Sequence, residues 1–525
     1  METAIDIKIV DTQEGPVAGH VFNGIAVFKG IPYAAAPVGP LRFRPPQPPD
    51  IRREPFLAFQ YGPVCPQDET LGPVLGSMGE DCLSLNIRAP ENPSSGLYPV
   101  MVWMHGGGFA TGSGSNPIFS GDYLARKGVV LVTVNYRLNV LGFFAHPELS
   151  AESPHHCSGN YGLMDQIFAL QWVQKNIRLF GGDPDNVTLF GESAGGASVA
   201  ALMSSPVACG LFHRAIVQSG GNAPRALRKR SESNGPLASA ESLGIQFAGA
   251  LGLTGGNVIE KMRSLPAQAL SQSWFKIIQN DIRSAGLSGS WMMNHLIIDG
   301  HILQDSPSEI FRRGRQLNVP FFSGTTLDEG TFFQFLVFLD KPDLYKYQRY
   351  VERLFGAAAG KVLDHFNAGD IRAAERAVCN IWESGFFCGA RRLTRSMSRI
   401  QPNTFRYLFA MPPKFFLYQI PGIMDWKERF GCYHAAELPY VFHFMSLPGM
   451  QHEDIVLSDQ MIDYWVRFAR TGDPNGGKAP AWPRYSLPDE KYLILNHPIS
   501  IAEGFKNEQC DFMDNLEQIL LGSAS

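Results

Sequence analysis

The chain begins by alternating. From Val10 to Phe28 apolar side chains exchange with small or polar ones, interrupted by Gly15, Gly19 and Gly24. That pattern predicts a short β-meander, because a pleated strand sends successive side chains to opposite faces. The Pro-rich segment from Pro37 to Pro49 predicts irregular chain wrapping the surface. The pattern then turns to short apolar runs at Leu83–Arg88, Val100–Met104 and Val129–Asn135, which predict strands; the polar turn Asn92–Gly96 joins the first two. Tyr161–Ile177 has helical spacing, with Leu163, Ile167, Leu170, Trp172 and Val173 at its apolar positions. Gly181-Gly182-Asp183-Pro184 closes that unit. A strand at Asn186–Phe190, a helix at Gly196–Met203 and a strand at Ala215-Ile216-Val217 follow. Strand alternating with helix argues for an α/β fold built on a largely parallel sheet.

Beyond Arg225 the pattern becomes helical and loop-rich as far as Leu317. A strand returns at Val319-Pro320-Phe321-Phe322 and ends at Gly324-Thr325-Thr326. Residues 331–402 read mostly as helix, Thr404–Phe409 and Tyr492–Leu495 as strands, and Leu457–Thr471 as an amphipathic helix. There is no internal repeat and no long low-complexity linker. The economical expectation is one domain over 1–525, a large mixed sheet flanked by helices. Helical insertions at roughly 225–317 and 331–430 would cap its active site.

Composition narrows the function classes. Hydrophobic residues make up 45% and charged residues 18% of the 525, with a net charge of −4, which leaves no basic excess for nucleic acid or an anionic membrane. No apolar run reaches the ~18 residues of a membrane span. Met1 to Asp6 has neither a basic nor an apolar leader character, so a cytoplasmic location is expected. Eight cysteines in this length are too few for a disulfide scaffold, and no Cys-x-x-Cys or His-Glu-x-x-His appears, so no metal site is expected.

The candidate chemistry centres on Gly191-Glu192-Ser193-Ala194-Gly195, set between a predicted strand and a predicted helix. Strand, Gly-x-Ser-x-Gly, helix is the context of a nucleophile elbow, in which a sharp turn projects a serine hydroxyl at the end of a sheet. Acyl transfer by serine also needs oxyanion donors, a base, and a group that orients the base. The donors are read in His105-Gly106-Gly107-Gly108-Phe109, where glycines let backbone N–H groups approach a substrate oxygen; Gly107 and Gly108 are assigned, with Ala194 third. The acid lies in Gly324 to Gly330, where Asp328 and Glu329 compete; on extended chain only one can face the base. Of 13 histidines, His434 is the candidate base, because it follows the acid and sits in a loop between apolar stretches. His105 reads as structural and His155-His156 as solvated. Gly472 to Lys478 mimics a phosphate loop but lacks the Ser or Thr and the preceding strand that such a loop needs.

Taken together, the motifs resemble the type-B carboxylesterase/lipase family, and within it the bacterial para-nitrobenzyl esterase type. The resemblance covers nearly the whole chain. It runs through Phe28 to Ala34, Leu41-Arg42-Phe43, Glu80 to Asn86, His105 to Phe109, Asn135 to Leu138, Gly159 to Gln166 and Phe180 to Pro184. The serine motif, Asp328-Glu329-Gly330 and His434 to Phe442 complete it. The resemblance implies the α/β-hydrolase fold, with Ser193 as nucleophile, His434 as base, Glu329 rather than Asp328 as acid, and Gly107, Gly108 and Ala194 as oxyanion hole. It also implies a buried Arg42–Glu80 ion pair, carboxylates of Glu192 and Glu437 near the site, and a disulfide between Cys65 and Cys82. Cys388 matches a family position for which Cys510 is the candidate partner.

Ester hydrolysis through an acyl-enzyme, with no cofactor, is therefore expected. The substrate would be a small-molecule ester, handled by a monomer or homodimer. Pocket residues are sought in Phe109, Glu192, Phe332, Phe333 and Cys432, and in the segments around Trp291-Met292-Met293 and Phe415-Phe416-Leu417. The resemblance extends to the cholinesterases, which carry an ammonium-binding tryptophan in the loop between the first two cysteines; Pro66 to Asp81 contains no aromatic residue, which argues against a choline ester. An amide or carbamate hydrolase would use the same residues, and a non-catalytic binding module of this fold is the remaining alternative.

Overall fold

The computed structural model describes residues 6–69, 74–91, 96–221, 227–234, 238–284, 296–337, 343–413 and 430–522. The opening alternation folds as predicted, into strands β1 (Asp6–Thr12), β2 (Gly15–Phe22) and β3 (Ile25–Pro32), antiparallel in succession. Asn23 and Gly24 join the last two with φ of 51° and 74°. Two left-handed residues give the turn whose twist matches that of the flanking strands.

The sheet continues with β4 (Ser84–Pro90), β5 (Tyr98–Met104), β6 (Val130–Val134), β7 (Gly182–Glu192), β8 (Arg214–Gln218) and β9 (Phe321–Thr326). It ends with β10 (Thr404–Phe409), β11 (Lys491–Leu495) and β12 (Ser500–Glu503). Their spatial order is β1-β2-β3-β4-β6-β5-β7-β8-β9-β10-β11-β12, with Phe56–Leu57 added to β2. From β6 to β11 every pairing is parallel. Parallel strands are covered on both faces, so they read as continuous apolar runs, and all of β6 is buried. Along β5, Val100, Val102 and Met104 enter one apolar core while Met101 and Trp103 enter the other. Helices α1 (Tyr161–Asn176) and α2 (Ala194–Met203) pack into the first core.

β4 and β5, consecutive in sequence, are not neighbours in the sheet, because β6 inserts between them. Two expectations change. β7 begins at Gly182 rather than at Asn186, a start the sequence pattern hides because Asp183 to Asn186 are not buried and carry no apolar signal. The interval read as a cap over 331–430 runs through β10, and its long helix α3 (Ile371–Ser398) packs against β9 and β10. Helical spacing alone does not separate a helix that covers a sheet from one that caps a site. The interval 227–317 carries the helices Ala240–Ala250, Val258–Ser264, Ala267–Ser284 and Pro307–Arg312, with a small ribbon pairing Arg228–Lys229 to Ile297–Ile298. The segments around Trp291-Met292-Met293 and Phe415-Phe416-Leu417 lie outside the described residues.

Two more helices close the chain: α4 (His452–Thr471) and α5 (Asn507–Gly522). α4 brings Leu457, Met461, Trp465 and Phe468 to the second core. Cys388 on α3 is bridged to Cys510 on α5. Cys65 and Cys82, by contrast, are free buried thiols in hydrogen-bond contact, which corrects the expected bridge. The Cys65 sulfur also accepts the Leu138 N–H at 3.3 Å. No helix among the described residues is long and apolar enough to cross a membrane.

Candidate active site

Ser193 stands at the junction of β7 and α2 with φ 55° and ψ −121°. A left-handed residue other than glycine is strained, and such strain clusters at functional sites. The Ser193 N–H donates to Gln218 O at 2.9 Å, which fastens the turn to the end of β8. Its glycines are required by close approach. A Cβ at Gly195 would meet Met104 O at 1.9 Å, and one at Gly196 would meet Gln218 O at 2.6 Å. α2 therefore starts pressed against the ends of β5 and β8, with its N-terminus, the positive end of the helix dipole, beside the hydroxyl.

The glycine run after β5 faces the same space. A Cβ at Gly106 would stand 2.7 Å from Glu192 Oε2 and 3.1 Å from Ser193 Cβ. Gly107 (φ 110°) and Gly108 (φ 62°) both adopt positive φ, and Gly107 O receives the N–H groups of Ala110 and Thr111 at 3.0 Å each. His105 is buried against Tyr136, with ring centroids 4.4 Å apart, and its Nδ1 lies 2.8 Å from Gly106 O. Burial lowers its pKa to about 4, which keeps the ring neutral and fits the structural role expected for it.

The adjacent carboxylates after β9 part company, as extended chain predicts. Glu329 Oε2 lies 2.5 Å from His434 Nδ1, while its Oε1 accepts from Ser219 Oγ (2.5 Å) and the Thr326 N–H (2.8 Å). Asp328 points elsewhere, its Oδ2 accepting the Cys432 N–H at 2.7 Å. His434 Nε2 lies 3.1 Å from Glu192 Oε1, and the ring packs near Phe333 and Phe386 at 5.1 and 4.8 Å. Burial alone would lower the imidazole pKa. The facing carboxylates of Glu192 and Glu329 outweigh it and raise the value to about 9. Burial pushes Glu192 up to about 8 and Glu437 up to about 7. Gln218 Nε2 donates to Glu437 Oε1 at 3.3 Å.

Ser193, His434, Glu192, Gly107 and Gly108 line one cavity of about 240 Å³, together with Phe332, Phe333, Phe119, Ile118, Asn116 and Leu438. Ala194 follows Ser193 as the first residue of α2. Two expected pocket residues are elsewhere. Phe109 is buried against Phe143 (5.0 Å), and Cys432 is fully enclosed in the second core. Phe109 has a positive φ of 58°, and Cys432 is held by its N–H on Asp328, so neither side chain lines the cavity. The reading from sequence missed Gln218 and Ser219. The clue was Gln218-Ser219-Gly220-Gly221 at the end of a strand: Ser219 has φ 47°, and a Cβ at Gly220 would meet the Gly196 backbone at 2.3 Å. Arg42 and Glu80 form the expected pair through two 2.6 Å hydrogen bonds.

Comparison with known proteins gives the family. The model of the carboxylesterase family matches residues 6–513. The chain is 37% identical over 514 residues to the fumonisin B1 esterase of Sphingopyxis macrogoltabida, covering 95% of this chain and 88% of that protein. It is 36% identical over 519 residues to the para-nitrobenzyl esterase of Bacillus subtilis (strain 168), covering 96% and 97% respectively. Among solved structures it resembles a PNB esterase (TM-score 0.80, 33% identity, 96% of this chain and 99% of that one). A thermophilic PNB esterase superposes with a TM-score of 0.82, at 34% identity and the same coverage.

Proposed function

The chain belongs to the carboxylesterase family and is a carboxylic ester hydrolase, and from that premise we propose that Ser193, His434 and Glu329 are its catalytic triad. One observation carries the reading. Ser193 on its strained turn and a His434 imidazole bonded to Glu329 at 2.5 Å line the same cavity. His434 takes the Ser193 proton as the oxygen attacks the ester carbonyl. The N–H groups of Gly107, Gly108 and Ala194 receive the oxyanion, where one lost donor costs about 10²–10³-fold in rate. His434 then protonates the departing alcohol, and a water activated by the same imidazole releases the acid. Glu329 orients the ring and stabilises its cationic form.

The cavity suits an uncharged substrate. Its described lining includes Ile118, Phe119, Phe332, Phe333 and Leu438 but neither Lys nor Arg to pair with an anionic acyl group. A short-chain or aromatic ester fits best, in keeping with the para-nitrobenzyl esterases it resembles. The domain reading is one α/β-hydrolase unit over 1–525 with helical insertions at roughly 225–317 and 331–430, of which the second supplies Phe332 and Phe333 to the cavity.

The test is Ser193→Ala. The wild type should hydrolyse p-nitrophenyl acetate and be phosphonylated at Ser193 by an organophosphate. The variant should lose labelling, and about 10⁶-fold in kcat. A variant that still turns over and labels normally overturns the assignment.

A further inference from the structure

We propose that Asp328 is a positioning residue: its carboxylate sets the register of the loop carrying His434 on the loop carrying Glu329. This rests on the triad reading above and adds a part to it. The Asp328 N–H donates to Cys432 O at 3.1 Å, and Asp328 Oδ2 accepts the Cys432 N–H at 2.7 Å. One residue thus satisfies both backbone groups of Cys432, and a parallel bridge joins Asp328 to Tyr433. Thr331 Oγ1 lies 2.8 Å from both Asp328 O and Phe430 O, which ties the same two loops one step further out. Gly431 closes over the carboxylate with φ 55°, and a Cβ there would stand 2.3 Å from Asp328 Oδ2.

The clamp has a fixed base. A Cβ at Gly330 would meet Cys379 O of α3 at 2.1 Å, so the acid loop is seated on that helix. The side chain of Cys432 takes no part in the clamp, which holds its backbone instead. His434 follows Cys432 by two residues, so fixing one fixes the other. A hydrogen bond 2.5 Å long between His434 and Glu329 tolerates little sliding of one loop along the other. A misplacement of about 1 Å at a catalytic group costs about 10²-fold.

The test compares Asp328→Asn, Asp328→Glu and Asp328→Ala on p-nitrophenyl acetate. Asparagine keeps an acceptor at the same reach without the charge, so kcat should stay within about threefold of wild type. Glutamate keeps the charge and moves the acceptor by one methylene; kcat should fall about 10²-fold with KM within about twofold. Alanine should match glutamate, and if it does not fold the Asn/Glu pair decides alone. An Asp328→Glu enzyme with wild-type kcat overturns the proposal, as does Asp328→Asn falling as far as Asp328→Glu, or a loss confined to KM. Those outcomes leave the triad standing. An active Ser193→Ala protein removes the triad whatever the Asp328 series does.

Discussion

At the scale of single residues, the site is a balance among buried charges. In the proposed triad His434 must be neutral to act as a base, so activity is expected to rise as pH rises through its pKa. Burial works against the imidazolium, but Glu192, Glu329 and Glu437 face the ring and raise its pKa to about 9. Glu192 lies 3.1 Å from Nε2 and is itself raised to about 8 by burial. Glu192→Gln removes a carboxylate that stabilises the imidazolium, so the acidic limb of the kcat/KM profile should move to lower pH by about one unit. A pH–rate profile of the two proteins checks this, and an unmoved limb would mean that Glu329 and Glu437 set the value. Much at this scale was legible. Ser193 and the glycines after His105 sit in motifs whose spacing states a backbone requirement. The choice between Asp328 and Glu329 was not legible locally, because neighbouring carboxylates look alike until the partners are placed. Ser219 and Gln218 were missed because polar residues at the end of a strand have no periodic signature, and only the two glycines after them mark the turn.

Among elements, β7, the serine turn and α2 form the tightest joint. A methyl group at Gly195 would lie 1.9 Å from a backbone oxygen of β5, which has nowhere to go. Gly195→Ala should push α2 outward, lowering kcat by about 10²-fold and stability by about 1–3 kcal/mol. Gly210→Ala is the control: its φ is +78° with nothing within 4 Å, and it should cost about 1 kcal/mol with kcat unchanged. Kinetics and denaturant titration separate the two effects. The existence of these elements was readable from periodicity, since buried parallel strands are continuous apolar runs and α1 has helical spacing. Their arrangement was not. Nothing in the local pattern of β4 and β5 says that β6 comes between them, because strand pairing is decided by partners distant in sequence. The first half of β7 escaped notice because it is not fully buried.

The whole molecule is held by contacts that span great lengths of chain. Arg42 meets Glu80 in two 2.6 Å bonds and also donates to Met262 O and Leu265 O, joining the Pro-rich segment to the helix Val258–Ser264. Arg42→Ala would leave Glu80 and two carbonyls without that partner, so unfolding should require about 3–5 kcal/mol less. The denaturant midpoint should fall while the kcat of the folded fraction is retained, because Arg42 does not line the cavity. A loss of kcat at an unchanged midpoint would contradict this. The strand order has a consequence in time. The serine and the glycine run leave β7 and β5, whose pairings with β6 and β8 are made entirely within the first 218 residues. The imidazole arrives only with residue 434, and the acid at 329 precedes it. If the proposed triad holds, synthesis at about 5–20 residues per second separates the serine from its base by on the order of tens of seconds. Hydrolysis would then wait until residue 434 has been made.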